Sequence, residues 1–268
     1  MKKALFVGIN YVEDPAATLK GCVDDVQNMA AVLTTYYGYT PDNITMLYDT
    51  SSDPSQAPTK ANILAALQAL ADDSAICDSI WFHYSGHGTP LTGGSGSAIV
   101  PVDYAEAGLI TDQDLFAIVQ GIQCPAMILM DSCNSGSMCD LEWNYEYLYG
   151  LNFMRTQFSS QQIVNPNIFM ISGSKANQAS AEILDTTTNE YEGAFTDAVL
   201  NVLRENSYTI SLGKLMQAVC VWLVNRGILG QKPMLSSSSA SPIWSIAPVS
   251  SSGTVIQSNF QEIVGGGP

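Results

Sequence analysis

Apolar positions along the chain fall into two rhythms. Residues 3–8 form a nearly unbroken apolar run, the pattern of a strand buried on both faces, and residues 44–48, 79–84, 126–130 and 168–172 read as further strands. A last short run lies near residues 233–236. Between the runs the spacing changes to three and four. Val23, Val26, Met29, Ala30 and Leu33 predict a helix over residues 22–37. Ile63, Leu64, Leu67 and Leu70 predict another over 60–72, with Thr59 as its N-cap. Thr111-Asp112-Gln113-Asp114 reads as a capping box opening a helix over 115–121, and further helices are expected over 193–206 and 211–226. Residues 139–165 carry Trp143, Tyr145, Tyr147 and Tyr149 without a clear period and are expected to form a long surface connection. Residues 251–268 are rich in Ser and Gly and are expected to be a flexible tail. Strands alternating with helices predict an α/β fold, a mostly parallel central β-sheet covered by helices on both faces. Residues 1–250 are expected to form one domain.

Composition narrows the partners. The 268 residues hold 10 Lys and Arg against 25 Asp and Glu, a formal net charge of −15. Such a surface repels nucleic acid and anionic membranes and favours a cationic ligand, whether a metal ion or a basic peptide. No run approaches the roughly 18 apolar residues of a membrane span, and the short apolar run after Met1-Lys2-Lys3 does not make a signal-peptide core. Six cysteines are scattered without CxxC spacing, which suits reduced thiols in the cytoplasm.

In α/β sheets the ligand site lies at the carboxyl ends of the strands. Two unusual segments fall there. Of the two histidines, His83 sits inside a strand and is expected to be structural, whereas His87 lies between Gly86 and Gly88 just past that strand. Cys133 follows another strand within Asp131-Ser132-Cys133-Asn134-Ser135-Gly136. An ordinary thiol is only a few per cent thiolate at neutral pH, so an imidazole beside it can take its proton and later protonate a leaving amine. The backbone N–H groups of Cys133 and Gly88 are candidates to hold an oxyanion. A Gly-x-Ser-x-Gly elbow and a Gly-x-Gly-x-x-Gly turn after the first strand are both missing from the sequence, which argues against a serine hydrolase and a dinucleotide enzyme.

Tyr84-Ser85-Gly86-His87-Gly88 and the segment from Asp131 to Gly136 resemble the catalytic segments of metacaspases, the caspase-like cysteine peptidases. Gly21-Cys22-Val23-Asp24-Asp25, Pro58-Thr59-Lys60-Ala61-Asn62-Ile63, the stretch 171–181, Gly193-Ala194-Phe195-Thr196 and Pro233-Met234-Leu235-Ser236 are similar to further parts of that family. The resemblance covers roughly residues 3–240 and is that of a minimal type I or prokaryotic form without a prodomain. It implies a caspase-like sandwich, with a large-subunit-like region (1–138), a connecting loop (139–165) and a small-subunit-like region (166–250).

It also implies a cysteine endopeptidase with a His87–Cys133 dyad that cuts protein or peptide substrates after Arg or Lys. The pocket for the basic side chain would be formed by Cys22, Asp25, Ser85 and Asp131. Two carboxylates suit a guanidinium, which bonds them in a fork. Calcium activation is a further implication, with Asp103, Asp112 and Asp140 as ligands; Gln113 stands where the family has a second consecutive aspartate. Autocleavage is expected after Arg155, the only basic residue between Asp140 and Ser174. The alternative is an inactive caspase-like scaffold that binds basic segments or calcium.

Overall fold

The first strand is buried from Ala4 onward because helices cover both of its faces. The computed structural model describes residues 1–91, 96–149, 153–174, 182–185 and 190–249. Eight strands build the central sheet: β1 (Lys2–Gly8), β2 (Ile44–Tyr48), β3 (Ser79–Ser85), β4 (Ala126–Asp131), β5 (Trp143–Tyr147), β6 (Phe153–Gln157), β7 (Ile168–Ser172) and β8 (Met234–Ser237). Their order is β2-β1-β3-β4-β7-β8-β5-β6. The first five of that order run parallel, and β8, β5 and β6 extend the sheet antiparallel.

The helices of two turns or more are α1 (Cys22–Tyr36), α2 (Lys60–Asp73), α3 (Asp112–Val119), α4 (Ala194–Glu205) and α5 (Leu212–Asn225). Strand alternation sends Phe6, Trp81, Leu129 and Ile171 to one face, where Met29 and Leu33 of α1, Phe195 and Val199 of α4, and Leu215 and Val219 of α5 pack on them. Leu5, Val7, Phe82, Ile128 and Met170 go to the other face, against Ile63 and Leu67 of α2 and Leu115 and Val119 of α3. Two cores therefore sandwich one sheet. Thr59 caps α2 by accepting the Asn62 N–H, and the expected capping box is formed at α3 between Thr111 and Asp114.

One expectation fails. Residues 139–165 are not a plain connection, because β5 and β6 form a hairpin on the edge of the sheet. Trp143, Tyr145 and Tyr147 are alternate residues of β5, and Tyr145 is buried against the first core. The alternation spans only five residues before the chain turns, too few to stand out as a period. The expected tail at 251–268 and residues 175–181 of the family-like stretch lie outside the described residues.

Leu33 is fully buried and joins α1 to the sheet. Leu33→Ala should lower the unfolding free energy by about 2–5 kcal/mol, measured by urea denaturation. A loss below 1 kcal/mol would mean that this core repacks.

Candidate active site

Strand register brings the two unusual segments together. Ser85 of β3 lies opposite Asp131 of β4, so His87 and Cys133 each stand two residues beyond a matched pair. The Gly86 N–H donates to the Asp131 carbonyl at 3.2 Å. A Cβ on Gly88 would fall 2.1 Å from the Cys133 carbonyl oxygen, so the backbones touch at a spacing only glycine allows. Asn134 takes the left-handed conformation (φ 57°) that turns the chain sharply after Cys133. The hydroxyls of Ser135 and Ser174 donate to the Ser132 carbonyl at 2.7 and 3.0 Å and hold that turn.

The His87 ring is aimed by backbone. Its Nε2 lies 2.6 Å from the carbonyl oxygen of Ala17. A carbonyl only accepts, so Nε2 carries the hydrogen and Nδ1 is the basic nitrogen of the neutral ring. Tyr11 packs on the imidazole face with centroids 4.7 Å apart. Its hydroxyl accepts the His87 N–H at 3.0 Å and donates to the Val100 carbonyl at 2.7 Å. The Tyr84 hydroxyl donates to the His87 carbonyl at 2.8 Å. Burial raises both phenols above their ordinary pKa, which keeps them neutral donors. Cys133 is half-buried. Burial pushes Cys124 up to about 11 and Cys220 up to about 12, and raises Cys139 as well. Those three thiols are poor nucleophiles.

Beside this pair two carboxylates converge. Asp25 and Asp131 are 1% and 4% exposed. The Ser85 hydroxyl donates to Asp25 Oδ2 at 2.6 Å, and the Gly193 N–H donates to Asp25 Oδ1 at 2.9 Å. Asp131 Oδ2 accepts the N–H and the hydroxyl of Thr196 at 2.9 and 2.8 Å. A Cβ on Gly193 would fall 2.3 Å from Asp131 Oδ2 and 2.6 Å from Asp25 Oδ2, so both carboxylates close on the N-terminus of α4. The unsatisfied N–H groups and positive dipole end of that helix stabilise the buried negative charge. Cys22 opens α1 against the end of β1, where a Cβ on Gly8 would fall 2.6 Å from the Cys22 carbonyl oxygen. Cys22, Asp25, Ser85 and Asp131 thus all stand around the same strand ends.

Residues 2–142, just over half of the chain, match the family model described as metacaspase, peptidase C14 domain. The chain belongs to the metacaspase family. The chain is 35% identical over 216 residues to Metacaspase-1 of Kluyveromyces lactis, an alignment covering 77% of this chain and 47% of that one. It is 44% identical over 156 residues to Metacaspase-1B of Aspergillus oryzae, covering 54% of this chain and 36% of that one. The chain therefore spans less than half the length of these metacaspases. Two solved structures share the fold. A protein of Geobacter sulfurreducens superposes with a TM-score of 0.62 at 20% identity, covering 90% of this chain and 94% of that one. Caspase-1 of Spodoptera frugiperda superposes with a TM-score of 0.56 at 15% identity, covering 90% and 88%. The caspase-like α/β architecture is thereby established.

The three aspartates expected at a calcium site of this metacaspase are placed differently from one another. Asp112 Oδ2 accepts the Ser97 N–H at 3.0 Å and its Oδ1 accepts the Gln113 N–H at 2.8 Å. The Gln113 side-chain amide donates to Asp140. Burial and, after it, the Asp112 charge raise the Asp140 carboxyl above its ordinary pKa. Asp103 instead accepts the Lys60 N–H at 2.8 Å, at the start of α2. Among the described residues no group of three His, Cys, Asp or Glu side chains forms a cage for a metal ion. Arg155 lies within β6, where its guanidinium stacks 5.0 Å over Trp143 and donates to the Ala240 carbonyl at 2.6 Å.

Sequence reasoning missed Ala17, Tyr11, Gly193 and Thr196. Ala17 acts through its carbonyl, which no side chain announces. The helix start at 193–194 is visible in the sequence, but nothing local shows that it meets carboxylates from α1 and β4. A cleft of about 350 Å³ beside Tyr11, lined by Glu13, Asp14, Asp49, Glu106, Tyr48 and Tyr104, was also not foreseen.

His83 is structural in position, fully buried in β3, and burial lowers its pKa from 6.5 to about 3. The folded protein therefore holds it neutral, while the unfolded chain binds a proton below pH 6.5. The stability linked to this difference is complete above pH 6.5 and falls by about 1.4 kcal/mol for each pH unit below it, toward pH 3. Urea titrations at pH 7 and pH 5 should show a loss of about 2 kcal/mol on acidification, removed in His83→Phe. An equal loss in both proteins would assign it to other groups.

Proposed function

We propose that the chain is a cysteine endopeptidase cleaving after Arg or Lys, with Cys133 as nucleophile and His87 as general base and acid. The backbone contact between Gly88 and Cys133, just past the carboxyl ends of β3 and β4, carries this reading. With Nε2–H committed to Ala17, Nδ1 of His87 takes the Cys133 proton. The thiolate sulfur then adds to the scissile carbonyl. The N–H groups of Cys133 and Gly88 receive the oxyanion, each such donor being worth about 3 kcal/mol of barrier. Collapse of the adduct breaks the C–N bond, and His87 returns the proton to the leaving amine. Water, deprotonated by His87, hydrolyses the thioester and frees the sulfur.

The basic side chain of the substrate is read as entering beside Asp25, Ser85 and Asp131, with Cys22 behind them. Two buried carboxylates that accept from backbone N–H groups and hydroxyls complement a guanidinium. The acidic cleft beside Tyr11 supports a preference for basic peptides over acidic ones. Self-cleavage after Arg155 belongs to the same reading and requires β6 to detach from β5, because a protease takes its substrate as an unpaired extended segment. The thiols of Cys77, Cys124, Cys139 and Cys220 suit a reducing compartment, and we place the protein in the cytoplasm.

Fluorogenic peptides ending in Arg, Lys or Asp test this reading. Turnover is expected for Arg and Lys, with a loss of at least about a thousandfold in Cys133→Ala. Mass spectrometry of the same two proteins should show a cut after Arg155 in wild type alone. Turnover after Asp would overturn the pocket assignment; no turnover of any peptide would favour the binding scaffold. An intact wild-type chain would remove self-cleavage.

Calcium is proposed at the Asp112–Asp140 pair. The donor set fits in chemistry, with two carboxylates and the oxygen of the Gln113 amide toward the six to eight oxygens calcium takes, and a cation would offset the burial and the Asp112 repulsion that raise Asp140. Asp103 is assigned to capping α2. Millimolar calcium should raise the Tm of wild type by several degrees and leave that of Asp140→Asn unmoved. An unshifted wild-type Tm would dispose of the site.

A further inference from the structure

Thr196 stands between a buried imidazole and a buried carboxylate. Its hydroxyl lies 2.8 Å from Asp131 Oδ2 and 3.3 Å from His83 Nε2. The hydroxyl has one hydrogen, and a carboxylate only accepts, so that hydrogen goes to Asp131. The His83 contact must then run the other way, with Nε2–H donating to Thr196 Oγ1. This fixes the His83 tautomer and leaves Nδ1 as a bare acceptor. Nδ1 is buried with no hydrogen-bond partner among the described residues. An orphaned buried acceptor costs stability, and a phenylalanine would keep the edge-on packing against Phe6 (5.9 Å between centroids) without that cost. The histidine is therefore explained by its N–H and not by its bulk.

The relay ends at a carboxylate whose orientation matters. Asp131 Oδ2 and Asp25 Oδ2 crowd the same point above Gly193, so a small rotation of Asp131 changes the gap between the two charges. Two donors from Thr196 pin one oxygen, and His83 stops the hydroxyl from turning away. We propose that Thr196 and His83 are positioning residues for substrate selection, acting through Asp131 to set the carboxylate plane that meets the basic side chain. The proposal deepens the peptidase reading above and rests on it. A guanidinium bonds in a planar fork and depends on that plane, whereas an ammonium is a point charge that tolerates its rotation. The relay thus selects arginine over lysine.

The test compares Arg and Lys peptides on Thr196→Val, Thr196→Ser, His83→Phe and His83→Gln. Thr196→Val should raise KM for the Arg peptide about tenfold, equivalent to ~1.4 kcal/mol, while kcat stays within about twofold. The Lys peptide should suffer less, so the Arg-to-Lys ratio of kcat/KM drops. His83→Phe should shift the ratio the same way by about threefold. Thr196→Ser, which keeps the hydroxyl, and His83→Gln, which keeps an N–H donor, should restore it. The rate of Cys133 alkylation by iodoacetamide should be unchanged throughout, because it does not use the pocket. An unaltered Arg-to-Lys ratio in Thr196→Val and His83→Phe overturns the proposal and leaves the peptidase reading intact. Equal loss on both peptides together with slower alkylation overturns it too, since that is general disruption. If Thr196→Val does not fold, the His83→Phe and His83→Gln pair decides alone. A wild type that cleaves neither peptide defeats the peptidase reading and this proposal with it.

Discussion

Everything at the site follows from the parallel pairing of β3 with β4. Side chains alternate along a strand, so a slip of one residue would turn each strand's core set outward. Burial on both faces makes such a slip doubly costly, because each face carries its own core. The same pairing that keeps Phe82 and Ile128 under α2 and α3 sets Ser85 opposite Asp131. Hydrophobic burial thus fixes the relative height of two loops whose own residues are mostly small and polar.

A second constraint is electrostatic. The chain places two carboxylates at the start of α1 and the end of β4, and backbone N–H groups and hydroxyls donate to both. Their charge is met by the amino end of α4 and by two hydroxyls. That arrangement couples the second half of the chain to the first. α4 is held to the sheet by Phe195 and Val199 on its apolar side and by Asp25 and Asp131 at its tip.

Much of this is legible in the amino-acid order, and the reasons are physical. β1, β4 and β7 are short apolar runs whose burial on both faces leaves no ambiguity of period, and Thr59 and Thr111 announce their helices through local capping chemistry. His87 and Cys133 stand out because small residues flank them at strand ends. The edge hairpin is not legible, since Trp143, Tyr145 and Tyr147 need the neighbouring β8 before their alternation means anything. Nor is the partnership of Asp25 with Gly193, which spans 168 positions. Contacts made by backbone groups across such distances leave no trace in residue identity.

The acceptor that aims the His87 ring belongs to this invisible class. Any residue at position 17 supplies the same carbonyl oxygen, so exchanging the methyl of Ala17 for another side chain leaves the acceptor chemically intact. What matters there is path length. The irregular stretch between β1 and α1 must carry one peptide group to a fixed spot, and a shortened or lengthened loop would move it while every recognisable side chain stayed in place. Insertions and deletions in that stretch, more than substitutions, are the changes to which the imidazole is vulnerable.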